Sequence, residues 1–204
     1  TDYFEVRNCY LHDADGVNVP YYPDSGLILY NAQNGTIANN NASLNARNGI
    51  YLESSSNSNT IANNTASLNS KDGIHIDHSF YSSIINNTAS NNGNGIYLRS
   101  GKNTIVNNIV SSNTDSGIYL DSGSFVGNNT IVNNTASANN YGIKIGWISD
   151  NNIIYHNNFI YNLIQAYDGC VLGNTWDDGY PSGGNYWSDY LGVDAMSGPL
   201  QDIP

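Results

Sequence analysis

The chain has 204 residues, enough for one domain to bury a substantial core without metals or several disulfides. Six Lys and Arg stand against 17 Asp and Glu, and a formal net charge of -11 argues against nucleic acid or an anionic membrane as partner and favours cations or neutral glycans. Charged residues make up only 11% of the chain while Asn fills 36 positions, a composition that excludes an ordinary helical or α/β domain, and no run of 18 apolar residues exists to span a membrane.

In chain order, Thr1 stands first with neither Met nor an apolar leader before it, which is read as the processed start of a secreted protein. Asp2 to Leu11 reads as a strand with no capping helix before it, so the N-terminal end is expected to be an open edge; residues 1–25 lead into the first repeat. Asp13-Ala-Asp15-Gly16-Val-Asn18 carries the alternating oxygen donors and turn glycine of half a calcium loop, which makes Asp13, Asp15 and Asn18 candidate Ca²⁺ ligands.

Residues 26–173 are repetitive. A glycine followed by alternating apolar residues recurs at Gly26, Gly49, Gly73, Gly95, Gly117, Gly142 and Gly169, at intervals of 23, 24, 22, 22, 25 and 27 residues. About ten residues before most of these glycines lies an Asn pair, from Asn39-Asn40 to Asn157-Asn158, preceded by an apolar residue: Ile37, Ile61, Ile84, Ile105, Ile131 and Tyr155. Each unit reads as three short period-2 strands separated by Asn and Gly corners, and no window supplies the 3.6 periodicity of a helical repeat. The expected fold is therefore all-β: a single-domain right-handed parallel β-helix, a solenoid of about seven coils.

In each Gly-Ile-Tyr-Leu strand the aliphatic residues point inward, and Ile74, Ile96, Ile118, Leu98 and Leu120 are predicted core. The residues between them should face solvent as a column, Ile28, Tyr51, His75, Tyr97, Tyr119 and Lys144, beside a second column of Glu53, Asp77, Arg99 and Asp121. Tyr51, His75, Tyr97 and Tyr119 next to Glu53, Asp77 and Asp121 form a candidate glycan-facing surface, because rings pack on sugar faces and carboxylates accept hydroxyl hydrogen bonds. The same columns also read as plain strand packing, stacked rings beside an alternating Asp77-Arg99-Asp121 charge ladder. The Asn pairs read as structural, stacked amides bonding to each other and to corner backbone.

Six Asn-x-Ser/Thr triplets occur, of which Asn34, Asn41 and Asn128 are the glycosylation candidates. Cys9 precedes the first clear coil and Cys170 sits in the inward aliphatic column of the last, roughly 25 to 35 Å apart at β spacing. A disulfide needs Cα atoms within about 7 Å, so the two are candidates for a bond between molecules, with Cys170 favouring burial. In the tail, residues 174–204, Asp177 and Asp178 are further Ca²⁺ candidates, and an aromatic cluster around Trp176 and Trp187 is expected to pack on the last coil or on a neighbour.

The core Asn-Thr-Ile-x-Asn-Asn…Gly-Ile-Tyr-Leu, fullest from Asn59 to Leu68 with Gly73, resembles the repeats of NosD-like and related secreted carbohydrate-associated β-helix proteins. Asn174 to Tyr190 looks like the tail that follows such repeats in surface proteins of archaea, methanogens above all; in those the tail usually continues into an acidic Gly-rich segment, whereas this chain stops at Pro204. Enzymes on this fold need clustered carboxylates, or Arg and Ca²⁺, in a groove, and their motifs are incomplete here: Asn113-Thr-Asp115 matches part of a polygalacturonase pattern whose other parts are missing, and no Asp-Pro-His segment of the epimerase kind occurs. One Met, two Cys and four His give a poor donor set for copper. The sequence thus points first to a non-enzymatic extracellular structural protein of an archaeal envelope, self-assembling through solenoid ends or edges with copies of itself. The alternative from another class is a glycan-binding or polysaccharide-processing module.

Overall fold

The computed structural model describes residues 3–15, 24–122, 126–171, 173–179 and 181–191. These form an all-β parallel β-helix with three sheets running the length of the rod. Sheet 1 has seven strands, from Glu5–Arg7 through Thr104–Val106 to Ile153–Tyr155. Sheet 2 has five, from Thr88–Ser90 to Tyr186–Trp187, and single bridges at Tyr10, Asn41 and Thr65 continue its line. Sheet 3 has seven, from Leu27–Tyr30 to Ile164–Asp168, so six full turns separate its first strand from its last.

Because every coil repeats the register of the one above, each repeat position becomes a column. Ile37, Ile61, Ile84, Ile105, Ile131 and Ile154 fill the core from sheet 1, and Ala42, Ala66, Ala89, Val110, Ala136 and Phe159 fill it from sheet 2. Sheet 3 contributes two columns, among them Ile74, Ile96 and Ile118, then Leu98 and Leu120, all five fully buried as predicted. Small residues on sheet 2 opposite large ones on sheet 3 keep the cross-section constant. The glycine at the start of the first six sheet 3 strands lets successive coils approach: a Cβ at Gly95 would lie 2.6 Å from the carbonyl oxygen of Gly117 and 2.9 Å from Cβ of Val110.

The corners follow one rule. A residue at positive φ points outward, and the next residue, usually Asn, points inward. At the corner from sheet 1 to sheet 2 the outward residues Asn39, Asn63, Asn86, Asn107, Asn133 and His156 precede Asn40, Asn64, Asn87, Asn108, Asn134 and Asn157. Each inward amide donates to the Oδ1 of the Asn one coil on, at 2.9–3.0 Å from Asn40 to Asn185. A second ladder, Asn45, Asn69, Asn92, Asn113, Asn139 and Asn162, lines the corner from sheet 2 to sheet 3 and ends on Gln165. A third, Asn59, Ser82, Asn103, Asn129, Asn152 and Asn174, lines the remaining corner. Sequence reading found only the first, because its Asn comes in pairs; the others were visible as an Asn about four residues before each glycine and as the Asn of each Asn-Thr-Ile.

The last coil corrects the expected register. Ile164 pairs with Tyr141 and Ala166 with Ile143, so Gln165, not Gly169, takes the glycine position. Gln165 is accommodated there because the close stacking that demands glycine higher up ends at this coil. Cys170 consequently lies beyond the strand, half-buried against the end of the core, and not in the inward aliphatic column. Likewise Ile154, not Tyr155, is the inward residue, and His156 stands at the positive-φ position with Asn157 inward, one residue earlier than the Asn157-Asn158 pair implies. Asn174 and Asn185 prolong two of the ladders, Thr175 bridges to Ile153, Tyr186–Trp187 adds a strand to sheet 2, and Trp187 stacks on Phe159 at 4.8 Å. The described part of the tail is thus a partial further coil over the core.

Two substitutions test this account. Ile96→Asp places an unpaired charge at a fully buried position and should cost upwards of about 4 kcal/mol, read as loss of the cooperative urea transition. Asn87→Ala removes an acceptor for both the backbone N–H and the amide of Asn64 and should cost roughly 3 kcal/mol with the fold retained; wild-type stability of either variant would refute the assigned register.

Candidate functional site

Sheet 3 carries the most chemically diverse columns. Its outward residues are Tyr51, His75, Tyr97, Tyr119, Lys144 and Tyr167, in strict register. They point away from the core as expected, but Tyr51 and His75 do not face solvent: they are 8% and 5% exposed. The reason is the coil spacing, which is close to the thickness of packed rings. His75 stacks on Tyr97 at 4.4 Å and meets the edge of Tyr51 at 4.7 Å, and Tyr97 meets Tyr119 edge-on at 5.3 Å. Tyr97 and Tyr119 remain half-buried.

Beside the rings lies a residue that sequence reading missed. Asp72, immediately before Gly73, is fully buried on this face. Its Oδ2 lies 2.7 Å from Nδ1 of His75, its Oδ1 accepts from the amide of Asn94 at 2.8 Å, and its backbone N–H donates to Oδ1 of Asn48. The signal was in the repeat: the equivalent positions are Ser25, Asn48, Asn94, Ser116, Tyr141 and Ile164, and only Asp72 brings a charge. Lys71 reaches to 3.9 Å from the same carboxylate and 5.8 Å from the Tyr97 ring.

Asp121 accepts from the phenol of Tyr97 at 2.5 Å and from that of Tyr119 at 3.1 Å. Burial, reinforced by this carboxylate, pushes the Tyr119 phenol up to about 12 and raises that of Tyr97 further. Burial, helped by Glu53, also raises Tyr51. These phenols are therefore donors at neutral pH, not phenolate bases. Lys144 sits 4.9 Å from the ring centroids of Tyr119 and Tyr141 and 3.5 Å from Asp115. Asp77 pairs in register with Arg99, yet the expected charge ladder does not form: His78 Nδ1 lies 2.6 Å from Asp77, Asp121 is engaged by the phenols, and Arg99 has no ion pair among the described residues.

The other candidates lie apart. Asp13 is paired with His12 at 2.7 Å; Asp15 is exposed, and Asn18 lies outside the described residues. Asp177 accepts from the N–H of Gly179 and Asp178 from the hydroxyl of Ser182, each closing its own turn. Among the described residues no three His, Cys, Asp or Glu side chains converge on a metal position. Cys9 and Cys170 are both free and half-buried, in the first and last coils. Asn34 and Asn128 are exposed corner residues at positive φ, whereas Asn41 lies within a bridge of sheet 2 with its Oδ1 buried.

The phenols carry a pH prediction. The unfolded chain releases their protons near the ordinary value of 10, whereas the folded chain holds that of Tyr119 to about 12. The contribution of Tyr119 to stability should therefore be fully present below pH 10 and be lost as pH rises from there towards 12. Absorbance titration should show Tyr119 ionising late, and Asp121→Asn should bring its ionisation earlier.

Comparison with known proteins agrees with this architecture. A search of the curated proteins gives no match. Among solved structures, the A-module of the Azotobacter vinelandii mannuronan C-5 epimerase AlgE6 superposes with a TM-score of 0.56 at 16% identity, over 72% of this chain and 54% of that one. The likeness establishes the right-handed parallel β-helix, and the chain spans about half the length of that module. The family model described as periplasmic copper-binding protein (NosD) matches residues 16–192. Copper does not fit the side chains: His75 is engaged by Asp72, His12 and His78 lie on separate corners, and His156 bonds the carbonyl of Ser182. With 177 of its 204 residues inside that match, the chain belongs to the NosD family, whose description places its members outside the cytoplasm.

Proposed function

We propose that the protein is an extracellular polysaccharide-binding module whose binding face is the outer surface of sheet 3, and that its ligand is an acidic polysaccharide. The observation that carries this is the placement of charge. Of the six Lys and Arg in a chain of net charge -11, four (Arg47, Lys71, Arg99 and Lys144) flank the ring column. Arg47 is exposed, close enough to Tyr51 to act on its phenol, and its carbonyl bonds the N–H of Lys71 in the next coil. Asp72 is held by His75 and approached by Lys71, Asp115 by Lys144, Asp121 by two phenols, Glu53 by the Tyr51 phenol and Asp77 by His78, while Arg47 and Arg99 stand exposed without an ion pair among the described residues. The half-buried rings of Tyr97 and Tyr119 supply apolar contact to a sugar while the exposed cations meet carboxylates. That the solved neighbour is a mannuronan epimerase is in keeping with this reading.

Assembly into a sheath or filament has less behind it, because Trp187 covers Phe159 at the end of the core and two Asn ladders run on into the tail. Processing of the polysaccharide is favoured by one feature, the buried Asp72–His75 pair; turnover of a polyuronate that His75→Ala abolishes would replace the binding reading with it.

Affinity electrophoresis through gels containing polyuronate or neutral β-glucan tests the proposal. Retardation should occur with the polyuronate, weaken with salt, and drop about tenfold or more in an Arg47→Ala, Lys71→Ala, Arg99→Ala triple variant. Equal retardation by the neutral glucan, or an unchanged triple variant, would overturn it.

A further inference from the structure

A separate cavity of about 330 Å³ opens at the corner between sheets 3 and 1, lined by Phe80, Tyr81, Lys102, Asn128 and Asp150 together with Gly101 and Gly127. It draws one side chain or more from each of four successive coils. Tyr81 and Lys102 occupy the outward positive-φ positions of their corners, as Asn128 does two coils beyond Tyr81. The Tyr81 ring is 60% exposed, and the Lys102 ammonium donates to its hydroxyl at 3.1 Å and sits 5.3 Å from its centroid. The Asp150 carboxylate lies over Gly127, where a Cβ would come within 3.1 Å of Oδ1. Glycine there leaves the carboxylate seated beside the cavity. Lys102 and Asp150 form no ion pair with each other or with other described residues, so one cation and one carboxylate line the same opening without neutralising one another.

We infer that this cavity is a second saccharide site, for a single neutral hexopyranose unit. An exposed aromatic face accepts the C–H face of a sugar ring. Lys102 and Asn128 supply donors, while Asp150 and Asn128 supply acceptors, the mixture that sugar hydroxyls require. The cavity volume falls at the small end of the range for specific ligand sites. One opposed charge of each sign gives no preference for an ionised ligand, in contrast to the cation-flanked face of sheet 3. The two sites are independent, because Tyr81 and Lys102 belong to the corner and not to the ring column.

The test is a two-dimensional amide NMR titration of the intact protein with methyl glucoside, methyl galactoside and methyl mannoside. At least one should shift the resonances of Tyr81, Lys102 and Asn128 in a saturable way. Tyr81→Ala should weaken that binding about tenfold, Tyr81→Phe should retain most of it, and the Arg47, Lys71, Arg99 triple variant should bind as the parent does. The melting temperature of Tyr81→Ala, measured alongside, should stay at the parent value, since the ring is exposed. Absence of saturable shifts with all three glycosides, or shifts centred on Tyr97, would overturn the inference whatever the outcome with polyuronate.

Discussion

Most corners of this solenoid turn on the same pair of neighbours, a residue held at positive φ and an inward residue, usually an Asn whose amide is bonded to the coils on either side. The left-handed corner costs little for Asn and more for Leu44, Tyr81 or Lys102, which also adopt it. What holds these in place is the inward polar side chain that follows, the amide of Asn45 or Asn103 and the hydroxyl of Ser82. Asn108, for example, donates to Ile84 O and to Asn134 Oδ1 and accepts from the backbone of Asn87, so a polar group at the core boundary is completely satisfied. An unpaired group there would cost about 1–3 kcal/mol, and the cost recurs at each corner of each coil, which makes register slippage by one residue prohibitive.

That strict register determines the outer face as well as the core. Residues one coil apart are forced to within ring-stacking distance, so the tyrosines of sheet 3 cover each other and His75 disappears between two of them. Asp72 shows how a functional group is introduced into such a lattice: it replaces Asn or Ser in a polar column, keeps the backbone hydrogen bond to Asn48, and adds a charge that His75 and Asn94 satisfy. The scaffold tolerates the change because the geometry is fixed by the neighbouring coils. Chemistry on this fold is therefore a matter of which side chains occupy outward columns, and the family name alone does not specify it. Here the His residues are dispersed around the rod, while four of the six Lys and Arg gather on the sheet 3 face among its carboxylates.

The tail has a corresponding role at the end of the rod. It contributes Asn174 and Asn185 to two ladders, and Trp187 to Phe159, and Asp168, in register with the inward Ile145, accepts hydrogen bonds from the amide of Asn174 and the indole of Trp176. An inward aliphatic column thus finishes in a carboxylate with polar partners of its own. Among the described residues the end of the repeating core is thus covered by strand and turn segments of the tail.

The fold was legible in the sequence because its determinants are local and periodic. A glycine, two aliphatics at alternate positions and an Asn pair repeat often enough that stacking is the only arrangement that buries the aliphatics, and Ile96 or Leu120 could be placed in the core from spacing alone. Where the period weakens, at Gln165 and His156, the nearest look-alike residue was one or several positions away, and only hydrogen-bond register decides which residue fills the slot. The candidate site was legible as columns but not as contacts. Sequence placed Tyr51, His75, Tyr97 and Tyr119 in one line; whether their rings are open or mutually covered depends on the coil spacing and rotamers. It gave no weight to Arg47, Lys71 or Asp72: Asp72 meets His75 three residues on in the same strand, whereas Lys71 meets the Tyr97 ring only across coils, more than 20 residues away in the chain. Alternation along a strand is encoded residue by residue, whereas proximity between coils exists only once the solenoid is wound.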